Sequence, residues 1–350
     1  MDKTDVQGEL LFNRLSKRYR HLKKWARRTG INAYRLYDRD IPEIPLVLDL
    51  YDDAVSGALF RRPHRMDEQD PGSTDPQSSE FESAEHWLSV MRSAIVAALN
   101  ISESHVFLKE RRRMRDRQTS GDQYNKVSGQ GFYRDVREGD LSFRVNLSDY
   151  LDTGLFLDAR KKRAIIHAEA TGKRILNLFA YTCSLSVCAA MGGARAVDSV
   201  DLSNTYLSWG EINFALNGLE AVHSPDTSQR DSGTSPARFT LIRSDVLQFI
   251  GHAAKSGLCW DIIILDSPGF SNSKKMRGAL DLRRDHMDLI RSCLKLLNPG
   301  GKLWFSSNVR GISLESADFS DVSVKDMRPF LVDEDFRKKR TPPCYALIKS

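Results

Sequence analysis

Ile175-Leu176-Asn177-Leu178-Phe179-Ala180-Tyr181-Thr182-Cys183-Ser184 is the stretch around which this chain is organised. It opens as a short apolar run and ends in small polar residues. A helix-like segment follows, Leu185 to Met191, closed by Gly192-Gly193. That order predicts strand, tight loop and helix, the unit that cradles a nucleotide-like ligand in open α/β sheets. Next comes Val197-Asp198-Ser199-Val200-Asp201-Leu202-Ser203, a second strand ending in an acid. An acid at that spacing commonly hydrogen-bonds a ribose hydroxyl pair. Together the two segments point to an adenosine-containing cofactor.

The pattern extends on both sides of this unit. From Lys173 onward strands alternate with helices, at 174–179, 196–201, 239–243, 261–266 and 302–307, with a pair near 322–327 and 344–349. Such alternation predicts a mostly parallel sheet, and ligands gather at the carboxyl ends of its strands. Four ends carry suitable groups. They are Asn177 to Ser184; Asp201; Arg243-Ser244-Asp245-Val246, where Asp245 is suited to accept from an adenine amino group; and Leu265-Asp266-Ser267-Pro268-Gly269-Phe270-Ser271-Asn272-Ser273. A single acid at a strand end reads equally well as a helix cap. Four at βαβ spacing form a site. Residues 223–237, rich in Ser, Pro, Asp and Gly, read as an insertion loop without chemistry.

The first part of the chain reads differently. Eight Lys or Arg residues and no acid lie between Arg14 and Arg28, while Leu11, Leu15, Tyr19, Leu22 and Trp25/Ala26 recur at helical spacing. An amphipathic helix over 10–29 is expected, with Gly30 as its C-cap. Its one-signed face repels itself, and phosphates relieve that repulsion; a solvated face is the plain alternative. Arg14, Lys17, Arg18, Lys24 and Arg27 are therefore candidate phosphate contacts. Arg111, Arg112, Arg113 and Arg115 form a second cluster after the strand Val106–Lys109, suited to bidentate phosphate contact; an exposed loop is the alternative. Short strands at 33–37, 46–51 and 55–60 predict a small antiparallel sheet, 63–80 a flexible loop, 81–100 a helix, and 132–148 a hairpin turned at Glu138-Gly139-Asp140. A domain boundary is placed near residue 150. A smaller α+β domain (1–150) then precedes an α/β sheet domain (151–350).

Composition bounds the rest. The 350 residues are 41% hydrophobic, enough for a real core, with a net charge of +6 and a pI of 9.0, a mild basic bias that suits a polyanionic partner. No apolar run approaches the roughly 20 residues that span a bilayer, and Met1-Asp2-Lys3-Thr4-Asp5 does not open a signal peptide, so a cytoplasmic protein is expected. The five cysteines form no CxxC and no zinc-like spacing, so neither a metal nor a disulfide framework is indicated. Cys188, Cys259 and Cys293 are expected to be buried free thiols.

At these residues the chain resembles the class I S-adenosylmethionine-dependent methyltransferases, whose fold is a Rossmann-like, mostly parallel sheet with an antiparallel C-terminal strand. Within them it is similar to the bacterial large-subunit rRNA guanine-N7 methyltransferases, the K half of fused K/L enzymes. The residues that carry the likeness are Lys24-Trp25-Ala26-Arg27-Arg28, Tyr34-Arg35-Leu36-Tyr37-Asp38, Asn146 through Asp158 (Asn-Leu-Ser-Asp-Tyr-Leu-Asp-Thr-Gly-Leu-Phe-Leu-Asp), Leu176 through Thr182, Asn204-Thr205-Tyr206-Leu207, Phe270 through Lys274, Arg284-Asp285-His286 and Phe305-Ser306-Ser307-Asn308. The resemblance implies that S-adenosylmethionine is the cofactor. Asp201 would hold its ribose, with Leu202 and Ser203 beside it. Asp245 and Val246 would hold the adenine, and Asn177, Phe179, Tyr181, Thr182, Cys183 and Ser184 the methionine end. Phe156, Asp158 and Arg160 would close the other side. Asp266 would reach the cofactor and accept from guanine N1–H or the exocyclic amine, with Phe270 stacked on the base. Ribosomal RNA of the large subunit (23S), as precursor or unfolded strand, is the implied partner, with the L-type module supplied separately.

Three departures stand out. Cys183 replaces the family's glycine and is expected to crowd the cofactor or reshape the loop. Ser267 replaces the first proline of Asp-Pro-Pro-x-Phe, and Gly269 is expected to loosen that loop further. The chain also begins where the second half of the fused protein begins. Two alternatives remain at this level. One is cytosine-C5 methylation, which needs a thiolate facing the base, with Cys344 after Pro342-Pro343 as candidate. The other is a non-catalytic RNA-binding factor on the same fold.

Overall fold

The structure, a computed structural model, describes residues 2–60, 77–111, 128–224, 238–271, 280–337 and 341–350. It divides into two units, an N-terminal one running to Thr153 and a second from Gly154 to Ser350, with Leu141–Arg144 counted with the second.

In the N-terminal unit the basic helix α1 spans Lys3–Thr29. It begins earlier than the apolar stripe suggested. Asp5 Oδ2 accepts from the Asp2 backbone N–H at 3.2 Å and caps the start, while the first buried position is Gly8, which carries no apolar side chain to reveal the stripe. Gly30 ends the helix at φ 68°, as its position predicts. Leu11, Leu15 and Leu22 pack with Leu36, Leu46, Leu48 and Ile95, all fully buried. Strands β1 (Ala33–Asp38), β2 (Leu46–Tyr51) and β3 (Ala54–Phe60) form the expected antiparallel meander. The sheet is nevertheless mixed. Helix α2 (Gln77–Leu99) carries the chain across so that β4 (Val106–Arg111) lies parallel to β3. Residues 63–76 of the expected loop lie outside the described residues, and 77–80 belong to α2 instead. The two strands of the expected hairpin are β5 (Tyr133–Glu138) and β6 (Leu141–Asn146), turning at Gly139 with φ 63°.

Asn146-Leu147-Ser148-Asp149 then forms a polar hub. Asp149, 1% exposed, accepts from the Gly131 N–H at 2.9 Å, Ser148 Oγ at 2.6 Å, Ser128 Oγ at 3.2 Å and Asn146 Nδ2 at 3.1 Å. Burial raises its carboxyl, but these donors outweigh burial and hold it at about 2. A dense motif in the sequence is thus a loop organiser.

The second unit is a doubly wound sheet. Helix α3 (Arg160–Glu169) leads into β7 (Arg174–Leu178), α4 (Ser184–Met191), β8 (Ala196–Asp201), α5 (Asn204–Leu216), a short β9 (Val222–Ser224), β10 (Phe239–Arg243), α6 (Val246–Lys255) and β11 (Trp260–Ser267). The chain continues through β12 (Phe270–Ser271), β13 (Leu280–Asp281), α7 (Leu282–Lys295), β14 (Leu297–Ser307), β15 (Val322–Asp326) and β16 (Cys344–Lys349). The sheet order is β15-β16-β14-β11-β7-β8-β10-β9, with β16 antiparallel to both neighbours and the rest parallel. Every strand expected from Lys173 onward is there. The addition is β9, where the sequence suggested only an insertion loop; residues 225–237 lie outside the described residues. Helices on both faces explain the near-continuous apolar runs, such as Ile262-Ile263-Ile264-Leu265. Strand order reverses between β7 and β11, which opens a crevice at their carboxyl ends.

Candidate active site

The loop after β7 is held in an uncommon conformation. Phe179, Tyr181 and Cys183 have φ of 56°, 51° and 61°, three left-handed non-glycine residues within five positions. Each such residue costs roughly 1–2 kcal/mol, so the surrounding structure must fix them. Asp201 at the end of β8 does much of this. Its Oδ2 accepts from the Tyr181 N–H and its Oδ1 from the Ser203 N–H, both at 2.8 Å. Burial pushes its carboxyl up to about 6, against the pull of these backbone N–H groups. Thr182 donates through Oγ1 to Gly154 O at 2.6 Å. Gly154 itself has φ 93°, and a Cβ there would lie 2.3 Å from the Trp209 ring, so only glycine admits that contact.

Cys183 does not crowd the crevice as expected. Its thiol is fully buried and turns onto α5, where a Cβ on Gly210 would lie 2.5 Å from Sγ. The glycine missing from the loop has its counterpart on the facing helix. Ser184 opens α4. Asn177 donates through Nδ2 to Ser186 Oγ at 2.8 Å, whereas its buried Oδ1 has no hydrogen-bond partner.

The other strand ends divide between capping and contact. Asp245 caps α6 by accepting from the Gln248 N–H at 3.0 Å, and Val246 is buried in the core beside it. Ser203 caps α5 through the Tyr206 N–H at 3.3 Å, and Leu202 is half-buried. Phe156 is 48% exposed with its ring 5.3 Å from that of Tyr181, which in turn lies 4.5 Å from Tyr206. These three rings form an aromatic wall. Asp158 is exposed in a 3-10 turn. Arg160 is not directed at a ligand in the way the resemblance implied. It is buried and paired with Asp333 at 2.9 Å and Asp335 at 3.1 Å.

Asp266, at the end of β11, is joined by Lys162, which the sequence did not mark, and by Ser306, which it quoted without a role. Lys162 Nζ lies 2.9 Å from its Oδ2, and Ser306 Oγ donates to its Oδ1 at 2.5 Å. Lys162 sits in the basic run Arg160-Lys161-Lys162-Arg163, where nothing in the spacing shows which side chain turns inward. Ser267 is buried. Gly269 is tightly packed, since a Cβ would lie 2.7 Å from Val309 Cγ2; close approach explains this glycine better than looseness. Phe270 is on β12, paired opposite Asp281, and its side chain lies outside the described residues. Cys188, Cys293 and Cys344 are buried, but Cys259 is only half-buried, unlike the expectation. Burial pushes the Cys344 thiol up to about 12 and raises those of Cys183 and Cys293 as well. None of these three is a thiolate at neutral pH.

Comparison with known proteins decides the family. A family model described as S-adenosylmethionine-dependent methyltransferase matches residues 73–319. The ribosomal RNA large subunit methyltransferase K of Neisseria meningitidis serogroup B is 40% identical over 335 residues, covering 96% of this chain and 86% of that protein. The chain belongs to the S-adenosylmethionine-dependent methyltransferases. The ribosomal RNA large subunit methyltransferase K/L of Pseudomonas fluorescens is also 40% identical over 331 residues, 95% of this methyltransferase but 39% of that protein. A methyltransferase crystallised with SAH shares the fold, with a TM-score of 0.67 and 22% identity over 97% of this chain and 81% of that one. S-adenosylmethionine is the cofactor, and the loop after β7 at the sheet's crevice is held by the acid at the end of β8.

The methyltransferase's basic helix sorts into two sets. Arg14 is tied to Asp40 at 2.5 Å, and Arg18 donates to Leu36 O at 3.4 Å. Lys17, Lys24 and Arg27 are exposed, and Arg20 and Arg28, which the sequence reading left out, are exposed at the intervening helical spacing. Arg111 is held by Asp152 and Leu151 O. Arg112, Arg113 and Arg115 lie outside the described residues. The N-terminal unit also has a cleft of about 610 Å³ lined by Arg92, Phe107, Lys109, Ser128, Gln130 and Ser148. Burial lowers the Lys109 ammonium to about 8. Among the described residues, no group of acids, histidines or cysteines could hold a metal, and no helix is long and apolar enough to cross a membrane.

Proposed function

We propose that this enzyme methylates N7 of a guanosine in 23S rRNA, taken as a precursor or unfolded strand. The observation that carries the reading is the fixed carboxylate at the end of β11, while the thiols of Cys183 and Cys344 are buried and neutral. Guanine N7 is already a nucleophilic lone pair. Its methylation needs alignment and exclusion of water, not a protein nucleophile. Cytosine-C5 methylation needs a thiolate on the ring, and the raised Cys344 thiol speaks against it.

When bound, S-adenosylmethionine supplies an electrophilic methyl group on a sulfonium. Asp201 accepts from the ribose hydroxyls, Asp245 through its carboxylate from the adenine amine, and the 177–184 loop receives the methionine end, with Phe156 and Tyr181 as an aromatic wall. Asp266 accepts from guanine N1–H or the exocyclic amine, and Phe270 stacks on the base. Lys17, Arg20, Lys24, Arg27 and Arg28 contact the phosphate backbone.

Mass mapping of modified guanines in rRNA from a deletion strain tests this reading. One guanine in 23S rRNA that loses its N7 methyl, and regains it when the purified enzyme is added, is the expected result. A missing 5-methylcytidine, or an unchanged map, overturns it.

A further inference from the structure

The carboxylate of Asp266 belongs to a closed polar ring. Ser306 Oγ donates to its Oδ1 at 2.5 Å, Lys162 Nζ lies 2.9 Å from its Oδ2, and Lys162 Nζ also donates to Ser306 Oγ at 2.9 Å. Two independent parts of the fold build this ring. Lys162 comes from α3, and Ser306 lies on β14 directly beside Asp266 in the parallel register of β11 and β14. Burial across the ring is uneven. The Lys162 side chain is 7% exposed and that of Asp266 is 32%; Ser306 is buried. Lysine and serine therefore lie behind the carboxylate, and the carboxylate alone faces outward.

A buried ammonium without a carboxylate costs far more than a paired one, so Lys162 stays with Asp266. The neighbouring groups leave that pairing intact. Cys344 stands opposite Ser306 on β16 as a neutral buried thiol. Asp326 of β15 is occupied by Arg328 at 2.6 Å.

We infer that Lys162 and Ser306 are positioning residues that lock Asp266 in one rotamer, two of its lone pairs occupied and its exposed edge presented to the substrate base. The inference rests on the proposed contact between Asp266 and the base. Each carboxylate oxygen accepts more than one hydrogen bond, so one donor per oxygen leaves each with a further acceptor site for a base N–H. The lock therefore acts on the transfer step, not on cofactor affinity.

Lys162→Met, Lys162→Arg, Ser306→Ala and Asp266→Asn in the full chain test it. With rRNA from the deletion strain, Lys162→Met is expected to lower kcat about tenfold or more while the dissociation constant for S-adenosylmethionine by calorimetry moves less than about twofold. Lys162→Arg recovers a large part of kcat, and Ser306→Ala shows a smaller loss of the same kind. On an Asp266→Asn background Lys162→Met adds little further loss. A wild-type kcat in Lys162→Met, or an equal loss on both backgrounds, overturns the inference. If the wild-type enzyme methylates no guanine, the proposed function fails instead, and the ring is read from melting alone. Lys162→Met and Asp266→Asn each lower Tm by several degrees, roughly, and together by less than the sum. Additive losses overturn the ring itself.

Discussion

Asp201 gives the sharpest quantitative handle on this enzyme. Its folded carboxyl titrates near 6 because burial disfavours the charge and the backbone N–H groups only partly compensate. A ribose hydroxyl donates better to the ionised form. Cofactor affinity should therefore fall as pH drops through about 6. Between about pH 7.5 and about pH 5 the ionised fraction goes from nearly all to roughly one in eleven, so the dissociation constant should weaken about tenfold, about 1.4 kcal/mol. Stability carries the opposite sign. The folded value lies above the ordinary 3.8, so the native state binds more protons between 3.8 and about 6, and this group's contribution to stability falls as pH rises through that window. The weakening is thus not loss of fold through this group. Isothermal calorimetry of S-adenosylmethionine with wild type and Asp201→Asn at several pH values makes the comparison. The variant should bind more weakly at neutral pH and lose this limb of the pH dependence. A flat wild-type profile, or the same slope in both proteins, would refute the role assigned to Asp201.

Other perturbations separate structure from ligand contact. Arg160→Ala removes the buried ion pairs to Asp333 and Asp335 and should destabilise the fold by about 3–5 kcal/mol, read by denaturant melts; a fully stable variant that loses only cofactor affinity would return Arg160 to the binding site. Gly210→Ala forces a methyl onto the Cys183 thiol and should cost about 1–3 kcal/mol. Adding Cys183→Gly should recover most of it, and strictly additive losses would deny the pairing. Lys24→Ala with Arg27→Ala should weaken rRNA binding and lower the slope of log affinity against log salt by roughly 0.7 per lost phosphate contact, with cofactor binding untouched; an unchanged slope in filter binding would move the RNA surface elsewhere.

Much of this was legible in the sequence because it rests on period and spacing. The alternation of apolar strands with helices after Lys173 set the sheet, and strand-end acids recur wherever such a sheet turns. Resemblance supplied the cofactor. What stayed hidden depends on which way a side chain turns in three dimensions. Arg160 and Lys162 stand two apart in one basic run, yet the first is committed to Asp333 and Asp335 and the second to Asp266. Cys183 looked like an obstruction because its relief, Gly210, lies on another helix. The start of α1 was missed because a buried glycine leaves no mark in an apolar pattern. Arg14 and Arg18 look like their neighbours in sequence, but Asp40 and Leu36 O hold them back from the exposed stripe.

The most direct measurement is nucleoside mass spectrometry of 23S rRNA incubated with the purified enzyme and S-adenosylmethionine carrying a deuterated methyl group. The account predicts the heavy label in 7-methylguanosine alone. Label in 5-methylcytidine, or none in RNA when the cofactor is bound, would contradict it.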